Sequence, residues 1–285
     1  MQKLIQAIAA DCGLDVLQYE QVHGGDTSEC YCIHSQFSRY FLKVNDANRF
    51  PGMFEMETDG LKAFASNGSI LVPEVINHGI INNKQWLLLQ WLDGKLPAKN
   101  SMQKFGAALA NVHQQPQLYV GWHRNNYIGS LKQLNTQHNS WAAFYTQCRI
   151  MPLVKLLFDN GVFSKSDIAF AESFCKRAAD LFPPEPPALL HGDLWNGNYM
   201  ITTDGKAAIF DPAVYYGHRE MEIAMTKLFG GFSEAFYDAY HEVYPLEKGW
   251  QQRLPLTQLY PLLVHAVLFG GHYIESARQI IKTVY

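Results

Sequence analysis

His191-Gly192-Asp193-Leu194-Trp195-Asn196-Gly197-Asn198 lies between two short apolar runs, Ala188-Leu189-Leu190 and Ala207-Ala208-Ile209-Phe210. The second run ends in Asp211-Pro212. Asp204-Gly205 is a hairpin signal between strand-like stretches at 199–202 and 206–210. Asp193 and Asn198 are therefore expected on the loop before a hairpin, with Asp211 at its exit. That brings Asn198 and Asp211 near one another by local structure alone. One Asp, an Asn five residues on and a second Asp beyond a strand are the groups that phosphoryl transfer to a hydroxyl requires. The first carboxylate orients the acceptor and takes its proton. The Asn and the second carboxylate are hard oxygen ligands for Mg2+ on nucleotide phosphates.

The spacing is that of H-R-D-L-x-x-x-N followed by D-F-G, although the letters between differ. The N-terminal part supplies what such chemistry would need elsewhere. An amphipathic helix at 3–12 is followed by strand-like stretches at 17–22, 29–34 and 40–44. Gly24-Gly25 sits between the first two, either as an ordinary hairpin turn or as a flap covering phosphates. Lys43 interrupts an apolar strand, and a helix at 54–65 carries Glu55 and Glu57 in its first turns. A strand Lys held by a helix Glu is the recurrent phosphate-contacting pair. Strands at 71–78 and 86–91 complete an expected five-stranded antiparallel sheet. Gln90, Trp91 and Leu92 are either a hinge offering backbone groups to adenine or the end of a core strand.

Beyond Gly94 the pattern turns helical. Ser101 is the expected N-cap of a helix over 102–114, and His113 is expected to be a structural hydrogen-bonder. The amide- and aromatic-rich segment 116–139 is expected to contribute to an acceptor pocket. Helices are expected over 141–160 and 164–182, the latter opened by a Ser164/Asp167 capping box. Further helices are expected over 221–229 and 233–243, and over 256–273 with a break at Gly270-Gly271. The fold class is α+β and bilobal. Residues 1–93 would form a nucleotide-binding lobe and residues 94–285 a mainly helical lobe.

Composition removes several alternatives. A net charge of −3, with Lys and Arg dispersed, argues against nucleic acid as a partner. No uncharged apolar run approaches the ~20 residues that span a bilayer, and the first residues do not read as a signal peptide. A membrane partner is not expected. Cys30 and Cys32 would point the same way on a strand, but one intervening residue is neither a zinc nor a redox spacing. The five cysteines read as reduced thiols of a cytoplasmic protein. Oligomeric state is not legible.

The 191–198 stretch, together with Asp211-Pro212-Ala213-Val214-Tyr215-Tyr216-Gly217-His218-Arg219-Glu220, resembles the fructosamine kinase (ketosamine-3-kinase) family. That family is similar to aminoglycoside phosphotransferases and shares the protein-kinase-like fold. The resemblance runs nearly end to end, through Gly24-Gly25-Asp26, Lys43, Glu57, Asn126-Tyr127-Ile128-Gly129 and Leu228-Phe229-Gly230-Gly231-Phe232. It implies ATP-dependent phosphorylation of a hydroxyl on a free or protein-bound ketosamine. Asp193 would be the proton acceptor, and Asn198 and Asp211 the Mg2+ ligands. Lys43 and Glu57, chosen over Glu55, would clamp phosphate under a Gly24-Gly25 flap. Gln90, Trp91 and Leu92 would hold adenine. Trp195 could stack on substrate or anchor the core. Asn126 would face substrate. Arg219 could meet an acidic group or pair with Glu220 or Glu222. Glu222 stands where the family more often has Asp. The competing readings are a kinase of another hydroxyl acceptor, such as an aminoglycoside, choline or sugar amine, and an idle nucleotide-binding module. The idle module would require one of Lys43, Asp193, Asn198 or Asp211 to be missing, and all four are present.

Overall fold

A computed structural model describes residues 1–25 and 27–283; Asp26, which the resemblance places in the glycine loop, lies outside the described residues, as do Val284 and Tyr285. Helix α1 (Gln2–Asp11) precedes strands β1 (Val16–Val22), β2 (Glu29–Ser35) and β3 (Arg39–Asp46). Helix α2 (Met53–Asn67) and strands β4 (Val75–Ile81) and β5 (Lys84–Gln90) follow. The five strands form one antiparallel sheet in the order β1-β2-β3-β5-β4.

Alternation along these strands gives the sheet two faces. Tyr31, Ile33, Leu42, Val44, Trp86 and Leu88 pack with Ile5 and Ile8 of α1 into a satellite core. The opposite positions Cys30, Lys43 and Leu87 are in register across β2, β3 and β5, as are Cys32, Phe41 and Leu89. These face the cleft between the lobes. Helix α2 buries Phe54, Leu61 and Phe64 in the main core, which continues into the second lobe.

The strand expected over 71–78 begins only at Val75. Pro73 has no N–H to give a ladder, and Leu71 instead accepts from Ile209 N at 3.0 Å, joining the two lobes. Gly94–Lys95 is a short strand, β6, rather than the start of helical structure. Helix α3 runs Lys99–His113 with Ala98 at its N-cap. Ser101 is one turn inside, where its Oγ accepts from Ala98 N at 2.9 Å.

Next come β7 (Asn126–Ile128), β8 (Leu131–Gln133) and α4 (Trp141–Phe144), then a π-helical stretch, Tyr145–Ile150, and α5 (Met151–Asp159). The expected single helix over 141–160 is thus interrupted. Pro152 cannot donate to the Cys148 carbonyl, and that carbonyl accepts from Arg149 Nη1 at 3.1 Å. Helix α6 (Lys165–Lys176) opens on the expected Ser164/Asp167 box and is followed by a separate α7 (Ala178–Leu181).

Strands β9 (Ala188–Leu190), β10 (Tyr199–Thr202), β11 (Ala207–Ile209) and β12 (Tyr215–Gly217) surround the 191–198 loop. β10 pairs with both β11 and β6, and β12 pairs with β9. Helices α8 (Glu220–Leu228), α9 (Glu234–Val243), α10 (Trp250–Phe269) and α11 (His272–Thr283) complete the second lobe. Among the described residues no helix is long and apolar enough to cross a membrane.

Candidate active site

The 191–198 loop is held from below by a buried carboxylate. Glu222, on α8, accepts from His191 N at 2.6 Å and Gly192 N at 3.0 Å. His191 is fully buried and works as a brace. Its Nε2 meets the Phe210 carbonyl at 2.9 Å, and its Nδ1 accepts from Asp193 N at 3.3 Å. Burial lowers its pKa, so the imidazole is neutral with its proton on Nε2. Gly192 has φ +82°, and a Cβ there would sit 2.2 Å from the Ala213 carbonyl oxygen. Only glycine permits that approach.

Asp193 receives two hydrogen bonds from Asn198. The Asn198 Nδ2 donates to Asp193 Oδ2 at 2.9 Å and to the Asp193 carbonyl at 2.8 Å. This fixes the amide so that its Oδ1 is left as an acceptor. Burial lifts the Asp193 carboxyl to about 8, against the Asn198 hydrogen bond and with help from the Asp211 and Glu222 charges. Asp211 follows β11 in a left-handed conformation, φ +58°. That conformation is strained for a residue with a Cβ but tolerated by Asp. Its Oδ1 accepts from Lys43 Nζ at 2.9 Å.

Lys43 is buried and also donates to both Glu57 oxygens, at 2.8 and 2.9 Å. Burial would lower its pKa, but the Asp211 and Glu57 charges outweigh that and hold it above the ordinary lysine value. Burial lifts Glu57 in turn, despite the pull of Lys43. The ammonium is the charge this geometry secures, because two carboxylates share it. Glu55 is elsewhere, exposed and paired with Arg124 at 2.6 Å.

Two cavities meet along this line of groups. One, about 530 Å³, is lined by Gly24, Gly25, Phe41, Leu89, Gln90, Trp91, Leu92, Met200 and Phe210. The other, about 350 Å³, is lined by Lys43, Arg49, Glu57, Tyr127, Ser130, Asp193, His265 and Phe269 among others. Gly25, Trp195, Asn198 and Asp211 border both. Trp195 is partly exposed at the junction, edge-on to Phe229 at 5.8 Å, so it is a cleft wall rather than a core anchor.

Gln90 N donates to the Glu74 carbonyl at 2.8 Å and Trp91 N to the Arg39 carbonyl at 3.2 Å. Of the three expected hinge residues, Leu92 is the one whose N–H is not drawn into these contacts. Arg39 also bridges to Asp93 at 2.6 Å, bracing the strand exit.

Asn126 borders the smaller cavity, but its amide belongs to the scaffold. Nδ2 donates to the Val214 carbonyl, and Oδ1 accepts from Gln133 and Asn135, all at 2.8 Å. Gln133 also donates to the Ala213 carbonyl at 2.9 Å. The amides of 116–139 thus hold the backbone after Asp211, while Tyr127, Gly129 and Ser130 face the cavity. Arg219 is a correction to the sequence reading. It lines neither cavity, is buried, and pairs with Glu185 at 2.8 Å, not with Glu220 or Glu222. Glu220 pairs with Arg253 instead. Sequence reasoning gave no role to Arg49, His265 or the Glu222 brace. The signals for Glu222 were a carboxylate set in the apolar run 221–225 and its place where the family more often has Asp.

A strand lysine paired to a helix carboxylate, an Asp–Asn loop and a second Asp at a strand exit, all in a cleft between a sheet lobe and a helical lobe, define a phosphotransferase of protein-kinase-like fold. The chain belongs to the fructosamine kinase family, whose profile it matches over residues 1–285. A Vibrio parahaemolyticus protein named a probable ketoamine kinase is 41% identical over 266 residues, covering 93% of this chain and 91% of the relative. A solved Thermobifida fusca structure, provisionally named a fructosamine-3-kinase, is 33% identical with a TM-score of 0.87, covering 97% of each chain. The aminoglycoside phosphotransferase APH(4)-Ia, solved with ADP and hygromycin B, shares the fold at 17% identity and a TM-score of 0.66, with 98% of each chain covered.

Proposed function

We propose that the protein transfers a phosphoryl group from ATP to a sugar hydroxyl of a ketosamine, free or on a glycated protein, a deglycation-type activity. The observation that carries this reading is the convergence of Lys43, Asp211, Asn198 and Asp193 where the two cavities meet. The names of the Vibrio and Thermobifida relatives support the acceptor class, and the ADP complex of APH(4)-Ia supports a nucleotide in the cleft.

The donor set fits the expected cofactors. Asp211 and the Asn198 Oδ1 are hard oxygens of the kind Mg2+ takes alongside phosphate and water. The larger cavity is mainly apolar, as an adenine slot should be. Bound ATP supplies the group transferred, and Mg2+ neutralises charge on its phosphates. In this reading residues 1–93 form the nucleotide lobe, with Leu92 and neighbouring carbonyls facing the adenine edge. Gly24 and Gly25 cover the phosphates, and Lys43, oriented by Glu57, meets them. A Cβ on Gly24 would lie 2.6 Å from Cys30 Sγ and 2.7 Å from Phe41, so the flap packs flat on the slot.

Residues 94–285 supply the acceptor side. Asp193 Oδ1 or Oδ2 takes the acceptor proton, and burial, by raising its pKa, makes the ionised carboxylate a stronger base than an exposed one. Trp195 flanks the sugar. Among the described residues the carboxylates lining the smaller cavity are Glu57, Asp193 and Asp211, each already committed, while Arg49 and His265 also line it. That wall suits a neutral sugar better than a polycationic aminoglycoside. Five free cysteines fit a reducing cytoplasm.

The test is a panel assay with Mg-ATP and fructosyl-lysine, ribulosyl-lysine, an aminoglycoside and choline, products read by mass spectrometry. Phosphorylated ketosamine is expected. Turnover confined to the aminoglycoside or choline would overturn the acceptor assignment.

A further inference from the structure

The cleft face of the sheet carries a second cluster that the phosphotransferase reading does not use. In the β1–β2 pairing Glu20 stands opposite Cys32, and His34 follows Cys32 by two residues on the same face. The three side chains converge at the open edge of the sheet. Cys32 Sγ is 3.5 Å from His34 Nε2, and His34 Nε2 is 3.5 Å from Glu20 Oε1. One ligand atom from each of the three lies within 4.8 Å of the others.

A separation of 3.5 Å is long for a nitrogen–oxygen hydrogen bond, whose usual range is about 2.7–3.2 Å. It is right for two ligands sharing one ion. With Zn–S near 2.3 Å and Zn–N and Zn–O near 2.0–2.2 Å, tetrahedral geometry sets ligand–ligand edges at about 3.3–3.7 Å. We propose that Glu20, Cys32 and His34 form a binding site for a four-coordinate transition-metal ion of the Zn2+ class, with water as fourth ligand.

The donor chemistry favours that class over Mg2+ or Ca2+. A thiolate and an imidazole select borderline-soft ions, whereas hard ions prefer oxygen alone. A thiolate and a carboxylate together balance the divalent charge. Arg39, opposite His34 on β3, is near enough for its charge to act on Cys32, but its guanidinium is paired with Asp93. Cys30, two residues before Cys32, is not a competing ligand, because its Sγ donates to the Gly24 carbonyl at 2.8 Å. This explains why the Cys-x-Cys spacing carries no metal signal: the further ligands come from across the hairpin and from position 34.

The site's place suggests what loading does. Phe41 is the β3 partner of Cys32 and lines the larger cavity. β1 and β2 are also the strands that carry the glycine loop. An ion bridging Glu20 to Cys32 and His34 ties those two strands together and stiffens the loop between them. Since the thiol must lose its proton on binding, affinity rises with pH.

The experiment is a cobalt titration of the full-length, untagged protein under reducing conditions, followed by zinc displacement. One equivalent of Co2+ should give a thiolate-to-cobalt charge-transfer band in the near ultraviolet and the visible bands of four-coordinate cobalt. Zn2+ should abolish both. Cys32→Ser and His34→Ala should each lose the bands. His34 is partly exposed, so His34→Ala keeps the test meaningful if Cys32→Ser folds poorly, with fold checked by circular dichroism. No stoichiometric band in the parent protein, or a band surviving either substitution, overturns the site.

Discussion

Lys43 and Asp211, 168 positions apart in the chain, are joined by a 2.9 Å hydrogen bond, and the same ammonium holds Glu57. The contact crosses the cleft, so it ties the sheet lobe to the catalytic loop as well as preparing a phosphate site. Breaking a buried ion pair by removing one partner typically costs about 3–5 kcal/mol. Lys43→Met should lose stability of that order at pH 8.

The pH dependence of that loss has a definite sign. Burial lifts Glu57 from 4.5 to about 7, while Lys43 opposes the rise. A carboxyl raised in the folded state favours folding fully below its unfolded value and loses that contribution as pH climbs through the folded value. Without Lys43 the opposing pull is gone, and an ionised Glu57 is buried against Asp211. The difference between parent and Lys43→Met in urea denaturation should therefore be smaller at pH 5, where only the Asp211 contact is lost, and grow toward pH 8. A difference independent of pH would show that Glu57 stays neutral or becomes hydrated.

Asp193→Asn tests the base directly. Asn preserves shape and can still meet Asn198, but it cannot accept the acceptor's proton. Removal of a general base typically lowers the rate by about 10²–10⁴. The fall should appear in kcat, with nucleotide affinity, read by fluorescence titration, close to that of the parent. An unchanged kcat would remove Asp193 from that role.

The sequence carried the centre of this site well because its parts are locally determined. His191 to Asn198, the Asp204-Gly205 hairpin and Asp211 fall within one supersecondary unit, so spacing alone predicts their proximity. The five-stranded sheet was legible from alternation, with boundaries displaced where Pro73 removed a donor. Long-range partners were not legible. Arg219 has Glu220 beside it in the chain, yet its partner is Glu185, and Glu220 pairs with Arg253. Charge pairing between residues distant in sequence leaves no periodic trace. The amides at 126, 133 and 135 misled for a related reason, since composition cannot tell a residue lining a pocket from one supporting its wall.

Glu222 is where support and catalysis meet. Its two oxygens each serve one backbone N–H of the catalytic loop. In Glu222→Gln one of those N–H groups faces an NH2, and a buried donor left without a partner costs about 1–3 kcal/mol. Urea denaturation at pH 7 should show that loss. A lower kcat with an unchanged KM for ATP should accompany it, because the loop that carries Asp193 loosens while the adenine slot does not. Full stability in the variant would mean that the loop holds itself without the carboxylate.

Gly106 makes the strictest demand on the second lobe. It sits on α3 against α9, and a Cβ there would lie 2.0 Å from the Phe236 carbonyl oxygen and 3.1 Å from Tyr240 N. The obstructing atoms are backbone, so no side-chain rotation relieves them and the helices must separate. The consequence extends to the site by way of Phe105, which packs on Tyr199 at 5.2 Å beside the catalytic loop. Overpacking of this kind typically costs about 1–3 kcal/mol, occasionally more. Gly106→Ala should therefore lower the thermal midpoint clearly and reduce activity in step with the folded fraction. Gly13→Ala is the contrast: Gly13 has positive φ, 65°, whereas Gly106 lies inside α3 without one, and a Cβ at Gly13 meets nothing within 4 Å. Its cost should be limited to backbone strain, roughly 1 kcal/mol. A loss in Gly106→Ala no larger than in Gly13→Ala would show that the α3–α9 contact yields to the added methyl at little cost.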